Sequence, residues 1–201
     1  MEYVLIALAG YLLGTSSMAF YLSKLTKKDV RKSGSGNLGA SNTMALLGWR
    51  AAVLVGIHDI GKSLLAVLLA KWIFPEVAYA GAVAGVACVI GHIYPFYLKF
   101  KGGKGLASYI GMMAGLDIWL AVAMVVLLFA ILLITDYIAL SAVTMVVIVP
   151  GVVVFTQGWF LALILLLATA VMIYKHIENL VRIFRGQEMG FRNAAKGKHR
   201  M

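Results

Sequence analysis

Six apolar runs, each close to the length of a membrane-spanning helix, limit what this chain can fold into more than any other feature. They cover about residues 3–22, 51–74, 77–98, 117–134, 137–155 and 159–177. A helix needs about 20 apolar residues to cross a bilayer. Hydrophobic residues make up 62% of the chain and charged residues only 13%, which excludes a water-soluble domain. The sequence predicts an all-α polytopic integral membrane protein, with residues 1–201 as a single domain.

The basic residues predict which side of the membrane each loop faces. The net charge is +10, and the Lys and Arg residues gather at 24–32, 99–104 and 175–200. Clusters at membrane edges are typical of the positive-inside rule and of contact with anionic lipid. Nucleic-acid binding is not expected, because stacking aromatic residues and a known nucleic-acid fold are both absent.

Six crossings would leave both ends of the chain on one side, which conflicts with these charges. The stretch Met1-Glu2-Tyr3 has no basic residue, whereas the C-terminal tail is rich in them. An additional crossing at about 105–115 resolves the conflict, although ten residues of helix reach only about 15 Å. Such a helix must pack among others where the bilayer is thin, or form one arm of a re-entrant hairpin. We expect about seven transmembrane helices, with the N-terminus outside and the C-terminus in the cytoplasm.

The N-terminal run and the sulfur and imidazole side chains exclude several other features. Met1 to Phe20 lacks a basic start and a cleavage site, so we expect a retained first helix and not a signal peptide. Cys88 is the only cysteine, which excludes an internal disulfide. The four histidines have few acidic residues near them, so no metal site is predicted.

The first polar segment is SGSGNLGASN at residues 33–42. Its glycines alternate with hydroxyl and amide side chains, and Ser41 or Asn42 stands at a position typical of a helix N-cap. One interpretation is a flexible loop followed by a cap. The other is an anion-binding nest of backbone N–H groups at a helix start, where the helix dipole adds positive charge.

The second polar segment is GHIYPFYLKFKGGKG at residues 91–105. It lacks the spacing G-x-x-x-x-G-K-[ST] of a nucleotide-binding P-loop. A loop at the membrane interface would account for Lys99 and Lys101 but not for the glycines. The pattern favours an oxyanion cradle with Lys104 as its charge. His92 either takes part or only bonds a carbonyl at a helix end.

The third polar segment is KHIENLVR at residues 175–182. At 100° per residue, Lys175, His176, Asn179 and Arg182 fall within an arc of roughly 120° on one helix face. Lys175 and Arg182 alone would be ordinary charges at the end of a span. His176 and Asn179 do not help a helix leave the membrane, which favours a functional face. Glu178 can pair with Arg182 four residues later.

Two further sets of polar residues lie within apolar runs. Asp59 and Lys62 are three residues apart in the second run, and we interpret them as a structural ion pair and not as a proton relay. Ser141, in the fifth apolar run and near Asp136, either bonds its own helix or faces a site.

Together, the three segments closely resemble the signature segments of the bacterial membrane acyl-phosphate:glycerol-3-phosphate acyltransferase family. Order and residues match. One departure is Ser41, where the family usually has threonine; the hydroxyl is kept. The resemblance implies transfer of a fatty acyl group from acyl phosphate to the 1-hydroxyl of glycerol 3-phosphate. The products would be lysophosphatidic acid and inorganic phosphate, in the first step of phospholipid biosynthesis.

The resemblance also implies a setting. We expect a monomer in the bacterial cytoplasmic (inner) membrane, in contact with membrane lipids, with its active site facing the cytoplasm. The family uses no cofactor, no metal, no ATP and no acyl-CoA. In agreement, no histidine in this chain is followed five residues later by aspartate, so the H-x-x-x-x-D motif of acyl-CoA-type acyltransferases is absent.

Both substrates carry a phosphate, and acyl phosphate is already activated, so the protein must mainly orient the substrates and neutralise charge. Lys104 would neutralise the leaving phosphate, and Asn179 and Arg182 would position glycerol 3-phosphate. The residues assigned catalytic roles are Lys104, His176, Ser35 and Asn37. Those assigned to substrate binding are Gly36, Ser41, Asn42, Gly102, Gly103, Gly105, Ser141, Asn179 and Arg182.

The general base has two candidates. His176 suits the role by its ordinary pKa, but the phosphate leaving the acyl donor has a basic oxygen that can take the proton itself. Ser35 as an acyl-enzyme nucleophile is a third route without an apparent base. The alternative function from another class is a small organic-anion transporter, which Asp59 and Lys62 would suit.

Overall fold

Every regular element within residues 1–195, the part that the computed structural model describes, is helical. The predicted basic residues Lys196, Lys198 and Arg200 lie outside the described residues. The α-helices are α1 (Glu2–Thr15), α2 (Met18–Thr26), α3 (Ala40–Leu47), α4 (Trp49–Ile73), α5 (Ala80–Ile93), α6 (Leu106–Leu116), α7 (Ile118–Thr135), α8 (Ile138–Thr156), α9 (Trp159–Phe184) and α10 (Phe191–Ala195).

The all-helical membrane class predicted from the sequence is confirmed. Within the described residues, 6 spans are long and apolar enough to cross a membrane: Glu2–Thr26, Trp49–Ile73, Ala80–Leu98, Ile118–Thr135, Ile138–Thr156 and Trp159–Phe184. The helix α6 has only 11 residues and coincides with the predicted short segment. The last span continues to Phe184, beyond the predicted end at 177, because the polar third segment is itself helical.

The first span is broken between α1 and α2, which the sequence analysis did not predict. Ser16 leaves the helical conformation, and the Ser17 hydroxyl caps α2 by accepting a hydrogen bond from the Phe20 N–H at 3.4 Å. A break inside lipid leaves carbonyls that water cannot satisfy. Here the Tyr97 hydroxyl donates to the Thr15 carbonyl at 2.8 Å and the Lys62 ammonium to the Ser16 carbonyl at 2.6 Å. These two contacts with distant residues therefore stabilise the break.

The chain divides into two compact units, Met1–Ile118 and Trp119–Met201. The single domain over residues 1–201 stays a prediction. In the first unit, α1 runs parallel to α5 at close range. A Cβ atom on Gly10 would meet the backbone of Ala84, and one on Gly14 would meet the backbone of Cys88. Small residues at such spacing let helix backbones approach within a membrane.

The short helix α6 lies along the second half of α4. A Cβ on Gly111 would meet the Ile60 carbonyl, one on Gly115 would meet Val67, and Lys71 Nζ donates to the Gly115 carbonyl at 2.7 Å. The helix α6 therefore begins part-way along α4 and ends near its C-terminal end. This packing accounts for a stable apolar helix of 11 residues, and whether the helix crosses the membrane or forms a re-entrant arm stays a prediction.

The second unit is built from α7, α8, α9 and α10. The helices α8 and α9 pack together, and the Thr169 hydroxyl donates to the Val146 carbonyl at 3.0 Å. The turn between α7 and α8 places Asp136 at a φ of 64°. Its carbonyl accepts from the Phe191 N–H at 2.8 Å and its carboxylate from the Arg192 N–H at 2.9 Å, which anchors the chain after α9.

Candidate active site

The first loop, residues 33–39 before α3, is organised by the amide of Asn42. Asn42 is buried, and its Nδ2 donates to the carbonyls of Val30 at 2.9 Å and Asn37 at 3.1 Å. Its Oδ1 accepts from the Ser35 N–H at 3.1 Å. One side chain thus bonds the loop at Ser35 and Asn37 and connects it to the preceding turn at Val30. Its predicted contact with a substrate stays a prediction.

The glycines of the first loop provide backbone conformations. Gly34 and Gly36 have φ values of 56° and 66°, the left-handed region that favours glycine. The helix α3 begins at Ala40 with Gly39 as its N-cap, so the predicted N-cap at Ser41 or Asn42 is wrong. Both residues lie within the first turn of α3. From there the Asn42 side chain reaches back and bonds the loop that precedes the helix.

The side chains predicted to face a substrate in this first loop remain accessible. Ser35 and Ser41 are exposed, and Asn37 is half-buried. At the entrance, Arg31 forms a two-bond ion pair with Asp29, with Nε–Oδ1 2.9 Å and Nη2–Oδ2 2.8 Å. The hydrogen bond from the Arg31 side chain lowers the pKa of the Asp29 carboxyl to about 2, and Asp29 in turn raises the pKa of Arg31.

The second loop, residues 99–105 between the 3-10 turn Phe96–Leu98 and α6, folds back onto the end of α5. The Gly102 N–H donates to the Ile93 carbonyl at 3.0 Å, and the Gly103 N–H to the His92 carbonyl at 3.1 Å. These bonds satisfy two of the carbonyls that every helix leaves without an intrahelical partner at its C-terminus. Both N–H groups that the sequence analysis assigned to an anion are therefore used within the protein.

Two positions of the second loop require glycine because the backbone there lies directly against His92. A Cβ on Gly102 would meet the His92 carbonyl, and a Cβ on Gly103 would meet the Nε2 atom of the His92 ring. Gly105 has a φ of 95° and is the N-cap of α6, and Lys104 between them is half-buried. The first hydrogen bond inside α6 comes from the Tyr109 N–H to the Gly105 carbonyl at 2.7 Å. Lys104 therefore directly precedes a helix N-terminus, where partial positive charge collects.

The structure brings the first two segments together. Leu38 of the first loop and Leu98 before the second belong to one hydrophobic cluster, which also contains Ala19, Val30 and Val55. The ring of Phe20 packs on Tyr97 with centroids 5.9 Å apart. The two glycine-rich loops are thus connected to the same hydrophobic cluster in the first unit.

Asp59 and Lys62 form the predicted ion pair, with Lys62 Nζ 2.9 Å from Asp59 Oδ1. His92 joins them, which was not predicted from the sequence, with its Nδ1 atom 3.0 Å from Lys62 Nζ. A charged pair three residues apart can be recognised from sequence, whereas its meeting with a residue of another helix cannot.

The third segment lies in the second unit, on the C-terminal part of α9. His176 is buried, and its Nδ1 lies 2.8 Å from the Met172 carbonyl. Because a carbonyl only accepts, Nδ1 carries the hydrogen and Nε2 of the neutral ring carries the lone pair. This is the tautomer that a general base acting through Nε2 requires.

Asn179 and Arg182 converge on Glu188, a residue that the sequence analysis did not identify. Asn179 Nδ2 donates to Oε1 and Arg182 Nε to Oε2 of Glu188, both at 2.6 Å. Arg182 thus pairs with Glu188 and not with Glu178, because the chain turns at Gly186, which has a φ of 66°. The sequence signal that could have indicated this pairing is Gly186, which allows a turn, followed two residues later by Glu188 in an otherwise basic segment.

Ser141 is fully buried, and its hydroxyl donates to the Tyr137 carbonyl four residues earlier at 3.1 Å. Of the two interpretations left open by the sequence, the bond to its own helix is therefore the one observed. The assignment of Ser141 to substrate binding stays a prediction.

Comparison with known proteins agrees with this arrangement over almost the whole chain. The family model described as Glycerol-3-phosphate acyltransferase matches residues 4–186. The chain belongs to the glycerol-3-phosphate acyltransferase family. All three polar segments lie inside the matched residues. Glu188 and Arg192, which bond Asn179 and Asp136, lie just beyond the match.

Members of this family from Staphylococcus aureus are similar over their full length. The glycerol-3-phosphate acyltransferase of strain bovine RF122 / ET3-1 is 33% identical over 94% of this chain and 97% of its own. That of strain JH9 is 32% identical with the same coverage.

Two solved structures of a member of the family are also similar. Both are of PlsY (YgiH), an integral membrane glycerol 3-phosphate acyltransferase. Its glycerol 3-phosphate form matches with a TM-score of 0.87 and 29% identity, covering 96% of this chain and 97% of that chain. Its lysophosphatidic acid form matches with a TM-score of 0.84 and 28% identity, covering 96% and 98%.

Proposed function

We propose that this protein transfers a fatty acyl group from acyl phosphate to the 1-hydroxyl of sn-glycerol 3-phosphate. The hydroxyl oxygen bonds to the acyl carbon, the bond from that carbon to the phosphate oxygen breaks, and lysophosphatidic acid and inorganic phosphate leave. The observation that carries the proposal is the half-buried Lys104 directly before the N-terminus of α6, in a loop fixed by Gly102 and Gly103. Membership of the family supports it.

In this proposal the acyl phosphate headgroup binds Lys104 and the N–H groups that open α6, at residues 106–108. The first N–H groups of a helix have no intrahelical partner and face an anion with favourable dipole charge. Gly102, Gly103 and Gly105 shape the loop, since the first two N–H groups already bond carbonyls of α5. The first loop supplies Ser35 and Asn37 to the developing oxyanion and the exposed Ser41 to substrate binding, with Gly36 and Asn42 shaping the loop around the substrate.

Asn179 and Arg182 position glycerol 3-phosphate, and Glu188 aligns their donors. His176 holds the tautomer of a base acting through Nε2. The phosphate released from the donor is the competing base, because its oxygen lies next to the attacking hydroxyl in the substrate itself. Ser141 completes the substrate-binding residues.

We further propose about seven crossings in the bacterial inner membrane, with the N-terminus outside and all three segments on the cytoplasmic side, in a monomer of one domain. The helix α6 as a crossing is supported by its course beside α4 up to Lys71. The odd number of crossings agrees with the basic residues, which are absent before α1 and abundant after α2 and near 99–104.

The reaction is tested with purified protein in detergent, given palmitoyl phosphate and glycerol 3-phosphate, by measuring phosphate release. We expect phosphate release with palmitoyl phosphate, and no formation of lysophosphatidic acid when palmitoyl-CoA replaces it. Lys104→Ala should lower kcat by about 10²–10³-fold, the usual effect of removing one stabilising donor. Lys101→Ala, which removes an exposed lysine of the same loop, is the matched control and should change kcat less than about twofold.

Absence of phosphate release, together with gradient-dependent uptake of glycerol 3-phosphate into vesicles, would replace this proposal with the organic-anion transporter. The base is tested with His176→Ala at saturating substrate. Residual turnover well above that of Lys104→Ala supports proton transfer to the leaving phosphate. Loss of turnover in a folded variant supports His176 as the base.

A further inference from the structure

Four polar side chains meet directly beneath the second loop, between two of the apolar helices. They are His58, Asp59 and Lys62 of α4 and His92 near the end of α5. Asp59, Lys62 and His92 are only 2%, 7% and 6% exposed. Buried polar groups of this kind are costly unless they are fully bonded, and inside a membrane they are usually functional.

Lys62 uses its whole bonding capacity here. Its ammonium has three donors and no acceptor. The three partners are the Ser16 carbonyl at 2.6 Å, Asp59 Oδ1 at 2.9 Å and His92 Nδ1 at 3.0 Å. One cation therefore connects the break in the first span, the acid of its own helix and the histidine beneath the second loop.

These contacts also assign the hydrogen on the His92 ring. Because Lys62 can only donate, His92 Nδ1 accepts, and the neutral ring carries its hydrogen on Nε2. The contact from Nδ1 to Asp59 Oδ1 is longer, at 3.3 Å. Nε2 is the atom that a Cβ on Gly103 would meet, so the ring lies against the second loop with a fixed face.

His58 closes the other end of the group. Its Nδ1 lies 3.4 Å from Asp59 Oδ1, and its Nε2 lies 3.0 Å from the Ser16 hydroxyl. The Ser16 backbone and side chain are thus both bonded to α4. The broken first span and the second loop are connected through the same set of side chains.

We propose that Asp59, Lys62 and His92 form a positioning cluster for the proposed acyltransferase reaction. The cluster holds the His92 ring and the end of α5 in one place, and the second loop is built directly on both. Gly103 packs on the ring and donates to the His92 carbonyl, and Lys104 is the next residue. The cluster itself does not touch the substrate; it sets where Lys104 stands.

A pair that only held helices together could sit anywhere along α4, and the chain offers such a case for comparison. Lys71, on the same helix, donates to the Gly115 carbonyl at 2.7 Å, at the C-terminal end of α6 and away from the His92 and Ile93 carbonyls that hold the second loop. Lys71→Met removes one lysine–carbonyl bond, as Lys62→Met does at Ser16. It is the matched control for the positioning cluster.

The main test variant is the double change Asp59→Asn with Lys62→Met. Removing both charges leaves no buried charge unpaired, which is the expensive outcome of a single change. We expect kcat/KM for palmitoyl phosphate to fall at least about tenfold, because Lys104 both binds the headgroup and stabilises the leaving phosphate; a tenfold change equals ~1.4 kcal/mol. The KM for glycerol 3-phosphate should change less than about threefold. Lys71→Met should leave both values within about twofold.

A second variant covers the case in which the double variant does not fold. His92→Asn keeps an amide oxygen that can accept from Lys62, so the ion pair remains bonded, but it removes the ring beneath Gly103. The same fall in kcat/KM for palmitoyl phosphate is expected. A wild-type kcat/KM in either folded variant would overturn the positioning cluster.

Hydrogen exchange of the wild type and of both variants gives a readout that does not depend on activity. The Gly102 and Gly103 N–H groups bond to carbonyls of α5 in the native loop. Their exchange should be at least about tenfold faster in the variants, and unchanged in Lys71→Met. If the wild type releases no phosphate from acyl phosphate, the proposed function fails, whereas this exchange pattern still decides the cluster. Unchanged exchange in the variants would refute it.

Discussion

The two glycine-rich loops of the first unit look alike in sequence but are built in opposite ways. In the first loop the backbone is shaped by the side chain of Asn42, and Gly34 and Gly36 supply positive φ angles. In the second loop the backbone bonds α5 directly, and Gly102 and Gly103 leave room for His92. The first loop is held from within, and the second is held by what lies beneath it.

Because of this difference, the glycines of the two loops respond differently to substitution. A glycine at positive φ tolerates a change when the new residue accepts that conformation, whereas a glycine packed on a buried ring tolerates no added atom. In the proposed reaction, the accessible side chains of the first loop, Ser35 and Asn37, act on the substrate. In the second loop, Lys104 and the start of α6 have that role in the proposed reaction.

The largest expected effect is that of Gly103→Ala. The added methyl would collide with His92, which is buried and held by Lys62, so the loop must move away from α5. We expect activity to fall by at least about 100-fold and the free energy of unfolding by about 1–3 kcal/mol, as for overpacking elsewhere. Phosphate release and thermal unfolding measure the two effects.

Gly61→Ala is the control for this change, since a Cβ at Gly61 of α4 meets nothing within 4 Å. It should leave both measurements close to wild type. Adding His92→Asn to Gly103→Ala should recover most of the lost stability but little activity, because the collision ends while the ring that positions the loop is gone. Full stability of Gly103→Ala alone would show that the loop is not held from beneath.

A smaller effect is expected for Asn42→Asp in the first loop. The carboxylate keeps the acceptor for the Ser35 N–H but loses both bonds donated to Val30 and Asn37. Leaving a buried carbonyl without its partner costs about 1–3 kcal/mol. We expect a matching fall in the free energy of unfolding and about a tenfold loss of activity. Lys32→Ala, at an exposed residue directly before the first loop, serves as the control; equal effects of the two changes would contradict a loop organised by Asn42.

The large elements of the fold could be predicted because lipid imposes a length on them. The apolar runs at 51–74 and 137–155 became helices at Trp49–Ile73 and Ile138–Thr156. The break after Thr15 could not be predicted, since it depends on Lys62 and Tyr97, far away in the chain. Local sequence determines where a helix can form, and distant donors determine where it can be interrupted.

The candidate site was predictable in composition and less so in bonding. The ion pair of Asp59 and Lys62 followed from their spacing, but the third partner, His92, came from another helix. The glycines at 102 and 103 suggested N–H groups facing an anion, whereas those groups cap α5. A sequence shows which donors exist; only the packing shows which of them are already used.

The smallest effect is expected at the entrance of the first loop, where Asp29 and Arg31 lie at the surface. The Arg31 side chain lowers the pKa of Asp29 to about 2 from the ordinary 3.8, so the charged pair stabilises the folded protein above about pH 4. That contribution is lost as the pH falls from about 4 to 2, when the carboxylate takes up a proton in the folded state. Asp29→Asn removes the charge and keeps an oxygen for the Arg31 N–H, so it should lower the free energy of unfolding at pH 7 by about 0.2–1 kcal/mol. In thermal unfolding, the difference between wild type and variant should shrink over this pH range; a difference at pH 7 as large as that of Asn42→Asp would mean that surface charge, and not the buried amide, holds the first loop.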